Sequence, residues 1–230
     1  MSVKTLLALD FSSSYRSVAL MEVETQKLLV RSQEPAVFAP AAHTNLDGIL
    51  FVIKKLLDDA GLTQKNISIL SLGIGPGSYT GVRASIALAQ GWSLAADIKL
   101  AAVSSMDALA FQASRLGWKE RCHILVDAQR SEVYHAAYQL TANPSLLKPE
   151  EPPKIVSKES LLALSKGNEK MAGPDLDKSI GPIHPLYPLA EDIAIISLSQ
   201  SLYLEPEDLA PIYLRPTQFT KAKPTRTLPL

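Results

Sequence analysis

The chain has 230 residues, 47% of them hydrophobic and 20% charged, enough apolar content to build the core of one large domain or two small ones. Lysine plus arginine and aspartate plus glutamate each number 23, so the net charge is zero and unassisted binding to a nucleic-acid backbone is disfavoured. The single cysteine, Cys122, excludes an intramolecular disulfide, and the lack of a signal-peptide layout at residues 1–4 or of a bilayer-length apolar run leads us to expect a cytoplasmic chain without membrane association.

Residues 4–10 are a short apolar run ending in an acid, as expected of a buried strand. Residues 11–15 form a serine-rich polar turn, and residues 17–23 and 27–32 resume strand character around a turn at 24–26. Asp10 then closes the first strand with Ser12 just behind it. Such a pair can position a cation or water and contact phosphate, and it equally suits a turn that hydrogen-bonds only itself. A loop with two prolines covers residues 35–42, after which Thr44-x-x-Asp47 fits a capping box for a helix running to Ala60. His43 at its start reads as a capping or packing residue, since no second His, Cys or paired acid lies at ligand spacing. Leu46, Ile49, Leu50, Ile53, Leu57 and Ala60 make one apolar stripe, and Phe51, Val52 and Leu56 widen it beyond one face. A helix apolar on two sides needs cover on both, from its own domain or from another protein.

The stretch Gly73-Ile-Gly-Pro-Gly-Ser-Tyr-Thr-Gly-Val-Arg83 follows a strand at residues 67–72 and precedes a helix at residues 84–96. Gly75, Gly77 and Gly81 allow unusual backbone angles or close approach, and amides at the helix start beside Ser78 and Thr80 suit an anion. The spacing matches neither the dinucleotide fingerprint nor the P-loop, and a tight turn that binds nothing needs the same glycines. The helix is dense in small residues, among them Ser85, Ala87, Ala89 and Gly91 beside Trp92, which permits close approach of a second helix. Arg83 in its first turn opposes the helix dipole; an acidic partner, a phosphate and a solvated charge all remain open readings. Residues 98–103 form another strand, and Ser104-x-x-Asp107 starts a helix to Leu116 that Gly117 ends. This alternation predicts parallel βαβ connections and an α/β fold.

Beyond Ser104 the opening layout recurs: a strand at 123–127 ending in Asp127, a turn at 128–131 and a strand at 132–140. The recurrence points to a duplicated domain. A polar insertion at 143–153, a short helix from Ser157 to about 165, a short strand at 170–173, a loop at 174–188, an amphipathic helix at 190–204 and an extended element at 209–216 complete the chain. The predicted organisation is an N-terminal lobe at 1–103, a C-terminal lobe at 104–216 and a tail at 217–230. The tail carries Lys221, Lys223 and Arg226 without an acid and is expected to be disordered.

Leu-Ala-Leu-Asp10-Phe-Ser-Ser-Ser, His43-Thr44, the glycine-rich stretch, Val103-Ser-Ser-Met-Asp-Ala-Leu-Ala, Asp127-Ala-Gln-Arg-Ser-Glu-Val-Tyr134 and Pro211-Ile-Tyr-Leu-Arg-Pro216 together resemble the TsaB (YeaZ) family of threonylcarbamoyladenosine biosynthesis. The resemblance spans roughly residues 4–216 and implies an α/β fold of the actin-like, sugar-kinase and heat-shock-ATPase type, with two related lobes, the second reduced. It also implies a non-catalytic scaffolding and activating subunit for TsaD, which modifies an adenosine beside the tRNA anticodon together with the ATPase TsaE. On that basis the two N-terminal-lobe helices form the partner interface, through Leu46, Ile49, Leu50, Ile53, Ser85, Ala89 and Trp92. The free chain is expected to pair with itself through the same face, and tRNA is contacted only indirectly.

The catalytic relative carries a His-x-x-x-His metal site, and the aligned positions here are Ser105 and Leu109, neither of which replaces imidazole. No metal site, catalytic residue or required cofactor is therefore expected, beyond an ATP or ADP contact at the subunit junction. Phe11 stands where the family more often has Thr, which removes one phosphate contact. The alternative is an autonomous nucleotide-dependent small-molecule kinase or ATPase, with Asp10, Ser12, Gly75 and Gly77 lining the phosphate site. A metallopeptidase is a third and weaker reading.

Overall fold

A computed structural model describes residues 3–35, 46–164, 167–177 and 181–214. The predicted cap at His43 and Thr44 and the tail at 217–230 lie outside the described residues. Strand β1 (Thr5–Asp10) is buried along its whole length and lies inside a six-stranded sheet. It pairs antiparallel with β2 (Tyr15–Glu22), which pairs with β3 (Leu28–Pro35). On its other side it pairs parallel with β4 (Ile67–Gly73), and β4 with β5 (Lys99–Val103). Helix α1 (Leu46–Asp59) joins β3 to β4, and α2 (Tyr79–Ala95) joins β4 to β5.

Helix α3 (Ser105–Arg115) leads into a second sheet. There β6 (Arg121–Asp127), β7 (Glu132–Gln139) and β8 (Lys154–Ser157) run antiparallel to one another in turn. Helix α4 (Lys158–Leu164) returns the chain to β9 (Lys170–Gly173), which lies parallel to β6 and to β10 (Ile183–Pro185). The two sheets therefore share one plan: three antiparallel strands, then two parallel strands added beside the first. This is the duplicated actin-like architecture expected from the sequence. The second copy is reduced: the described residues between β9 and β10 contain no helix, where the first copy has α2.

Helix α5 (Ala190–Gln200) follows β10 as α3 follows β5, and the two helices lie between the sheets. Their apolar residues join Leu6, Ala8 and Met21 of the first sheet and Cys122, Ile124 and Tyr138 of the second in one core. Helix α5 is shorter than the amphipathic helix expected at 190–204, and its first turn is buried on its polar as well as its apolar side. Its first-turn acids Glu191 and Asp192 are buried and held by Arg115 of α3, with Arg31 of β3 also on Glu191. The chain then departs from a simple division at residue 103: β11 (Tyr203–Leu204) rejoins the first sheet against β5, and Ile212 donates its amide to the Ile74 carbonyl at 2.9 Å. Helices α1 and α2 cover the other face of the first sheet, where Ile49, Ile53, Val82 and Ala89 pack with Leu7, Leu9, Leu70 and Leu72. Among the described residues no helix is long and apolar enough to cross a membrane.

Candidate functional site

The glycine-rich stretch is shaped by how closely it passes the serine turn. The Ser78 amide donates to the Ser12 carbonyl at 2.7 Å, and Ser78 caps α2. A Cβ on Gly77, whose φ is +154°, would lie 2.1 Å from that carbonyl oxygen, and one on Gly81 would lie 2.0 Å from the Phe11 carbonyl oxygen. Any larger residue would push the two turns apart. Helix α2 accordingly begins at Tyr79, earlier than its alanine-rich body predicts.

Asp10 is completely buried, and both of its oxygens are taken within the chain. Oδ1 accepts from the Ser12 amide and hydroxyl at 2.9 and 2.7 Å, and Oδ2 accepts from the Ser105 hydroxyl at 2.6 Å. Burial pushes the Asp10 carboxyl upward, and the bonds from Ser105 and Ser12 work against that rise. Ser105 is the centre of this cluster. Its Oγ also accepts from the Gly75 amide at 3.1 Å, and its own amide donates to the Gly75 carbonyl at 2.8 Å. Ser105 therefore locks the end of β1, the glycine-rich turn and the start of α3 together. Leu109, one turn further along α3, is fully buried in the shared core. Asp107 does not close the predicted capping box; it accepts from the Tyr138 hydroxyl at 2.7 Å, while the Ser104 hydroxyl caps the helix.

Between the lobes lies a cleft of about 630 Å³, lined by the serine turn, the start of α2, the β6–β7 turn, Asp175 and Tyr213. Of the four residues expected at a phosphate site, Ser12 and Gly77 line the cleft; Asp10 and Gly75 do not, because Ser105 holds both behind the wall. The polar groups that would meet a phosphate are largely committed to carboxylates of the chain itself. Ser14 gives its amide and hydroxyl to Asp175, and Gln129 gives its backbone and side-chain N–H to Asp127. No lysine or arginine stands among the described lining residues. The interior of the cleft thus presents two carboxylates to an incoming phosphate, with no cation among its described lining residues.

The predicted interface divides into two groups. Ile49, Ile53, Ser85 and Ala89 are buried within this chain, so their side chains are not available to a partner in this state. They face the first sheet because its apolar strands need covering, a demand that helical periodicity alone does not assign to one side. Trp92 is half-buried against the same core, and the Leu46 side chain lies outside the described residues. Leu50 is exposed, and the outward face also carries Phe51, Ala87, Gly91 and Leu94, the last 90% exposed. Around Gly91 a Cβ would meet no atom within 4 Å. Sequence reasoning passed over Tyr213 and Asp175 as parts of the site. Asp127 was signalled by the repeated strand–acid–turn layout, and it ends β6 as Asp10 ends β1.

Comparison with known proteins gives four results of weight. The family model described as "TsaD: tRNA N6-adenosine threonylcarbamoyltransferase" matches residues 37–179. The Escherichia coli protein named "tRNA threonylcarbamoyladenosine biosynthesis protein TsaB" is 32% identical over 225 residues, 91% of this chain and 94% of that one. A Haemophilus influenzae protein of the same name is 36% identical over 130 residues, 56% of this chain and 52% of its own. Among solved structures, a Pseudomonas aeruginosa protein described as similar to peptidase YeaZ superposes with a TM-score of 0.74 at 28% identity, covering 92% of this chain and 100% of its own.

Proposed function

Since the chain belongs to the TsaB (YeaZ) family, we propose that it is a non-catalytic scaffolding and activating subunit in threonylcarbamoyladenosine modification of tRNA, working through the catalytic subunit TsaD. The observation that carries this reading is the outward face of α1 and α2. Leu50, Ala87, Gly91 and Leu94 present an apolar, small-residue surface on helices whose opposite sides are already used by the core. A stable interface buries about 1,600 Å² in total, and two helices of this length can supply a large part of one side. Small residues such as Ala87 and Gly91 allow a facing helix to come close. Without TsaD the same surface is proposed to join two copies of the chain, so that homodimer and heterodimer compete. TsaE would enter only in the larger assembly, in the cytoplasm.

An independent nucleotide-dependent activity is disfavoured by the occupied donors and carboxylates of the cleft. An ATP or ADP contact is accordingly assigned to the junction with the partner. The test is reconstitution of the tRNA modification with and without this chain, alongside a Leu94→Glu variant. Modification should collapse without the chain, and Leu94→Glu should remain folded yet fail to co-elute with TsaD. Equal modification in the absence of the chain would overturn the reading. Co-elution of Leu94→Glu at wild-type strength would overturn the interface.

A further inference from the structure

Three side chains at the mouth of the cleft form a rigid aromatic platform. Tyr79 opens α2, Arg83 follows one turn later, and Tyr213 comes from the C-terminal segment. The tyrosine rings stack with centroids 5.7 Å apart and planes 22° from parallel. The Arg83 guanidinium lies 4.3 Å from the Tyr79 ring centre, and its Nε donates to the Tyr213 hydroxyl at 2.7 Å. The bond from Ile212 to Ile74 fixes the backbone beneath Tyr213. Yet Tyr79 is 58% exposed and Tyr213 43% exposed. Two aromatic rings held in place at the surface lose little freedom when a flat ligand covers them.

We propose that this platform stacks the bases of single-stranded RNA, with the phosphates running past Arg83 on the outer side of the cleft mouth. A nucleobase fits because stacking on aromatic and guanidinium faces asks for a π-face and for no particular base. Charge sets the direction of the strand. Asp127 and Asp175 line the interior of the cleft and repel phosphate, so the strand crosses the mouth and does not enter. On the outer side Arg83, whose Nε is used by Tyr213, has further donors on its terminal nitrogens to meet a phosphate. A duplex hides its base faces and gains none of the stacking. The neutral net charge makes the contact weak alone and dependent on salt. The identification of the RNA as unpaired bases of the tRNA anticodon loop rests on the proposed function.

The test is fluorescence anisotropy of the full-length chain with a labelled anticodon stem–loop RNA and with a blunt duplex, at low salt, with ATP as competitor. The stem–loop should bind more tightly than the duplex. Tyr79→Ser should weaken stem–loop binding by about 5- to 100-fold. Tyr79→Phe, which keeps the ring, should bind within about twofold of the wild type, since the hydroxyl carries none of the stacking. Thermal melts of both variants control for folding, and Tyr79→Phe keeps the ring on which the Arg83 guanidinium lies. Wild-type binding by Tyr79→Ser, equal loss in Tyr79→Phe, or no preference for the loop would each overturn the inference. So would Tyr79-dependent binding of ATP without binding of RNA. If the wild type binds no RNA while modification still requires the chain, this inference falls and the proposed function stands.

Discussion

Replacing Ser105 by alanine should destabilise the fold by about 3–5 kcal/mol, because one hydroxyl holds two buried groups. Its hydrogen bond to Asp10 is made to a fully buried carboxylate at 2.6 Å, and losing a bond to a charged group costs about 1.5–3 kcal/mol. The Gly75 amide, which donates to Ser105 Oγ at 3.1 Å, is then left without its acceptor, at a further cost of about 1–3 kcal/mol. Ser12→Ala makes the control. It removes the hydroxyl bond to Asp10 but leaves the Ser12 amide on the same oxygen, so about 1 kcal/mol is expected. Equilibrium urea unfolding followed by circular dichroism and tryptophan fluorescence reads both variants. Equal midpoints for Ser105→Ala and the wild type, or a larger effect from Ser12→Ala, would refute the role of Ser105 as the lock between β1, the glycine-rich turn and α3. Asp10→Asn offers a neutral replacement that still accepts from Ser12 and should be milder than Asp10→Ala.

Burial raises the Asp107 carboxyl to about 6 from 3.8, with the Tyr138 hydroxyl working against the rise, so the native state keeps this proton when the unfolded chain has lost it. Stability should therefore fall by about 2–3 kcal/mol as pH climbs through that window and stay level above it. Asp107→Asn keeps an acceptor for Tyr138 and should abolish this component; identical pH profiles of urea midpoints for variant and wild type would contradict it. Ala89→Glu should lower the melting temperature sharply, because Ala89 is fully buried, whereas Leu94→Glu, at an exposed position, should leave it nearly unchanged. The opposite ranking in a thermal melt would show that α2 is turned the other way. Amide hydrogen exchange should be at least about tenfold faster in β7 and β8 than in β1 and β4, since few buried apolar residues cover the outer face of the second sheet. Equal protection in the two sheets would refute that difference.

Much of the first lobe was legible because its elements carry strong local signals. The apolar run of β1, the glycine that ends α1 and the serine that caps α3 sit within a residue or two of where the sequence places them. Strands β8, β10 and β11 escaped notice because they are two to four residues long and depend on a neighbouring strand for definition. The burial of the first turn of α5 was illegible for a different reason. The helical period of α5 does not say that Glu191 and Asp192 are buried; Arg115 and Arg31, distant in sequence, make that burial tolerable. The same kind of distance decided Asp10. An acid at the end of a buried strand suits a phosphate site or an internal turn equally well, and the residue that settles its surroundings, Ser105, stands 95 positions away.

The two lobes show how one plan can diverge. In each, the first strand ends in an aspartate whose Oδ1 accepts the amide two residues later, from Ser12 in one lobe and Gln129 in the other. In the first lobe the helix after the fifth strand supplies Ser105 and seals the acid. In the second, the corresponding helix α5 directs its first amide to Ser17 of β2, and Asp127 is left facing the cleft. The outer faces differ in the same way. Helices α1 and α2 cover the first sheet and permit an extensive apolar core beneath them. Over the second sheet α4 covers a small cluster of Leu125, Val133, Leu161 and Met171, and next to it His123 bonds His135 at 2.9 Å and Glu169 at 2.6 Å. An apolar residue there would lack the cover that justifies it, whereas the histidine pair, anchored to Glu169 through His123, lines a groove beside the cluster. Reduction of the second lobe thus removes a second helical layer, and the outward two-helix face of α1 and α2 has no counterpart elsewhere among the described residues.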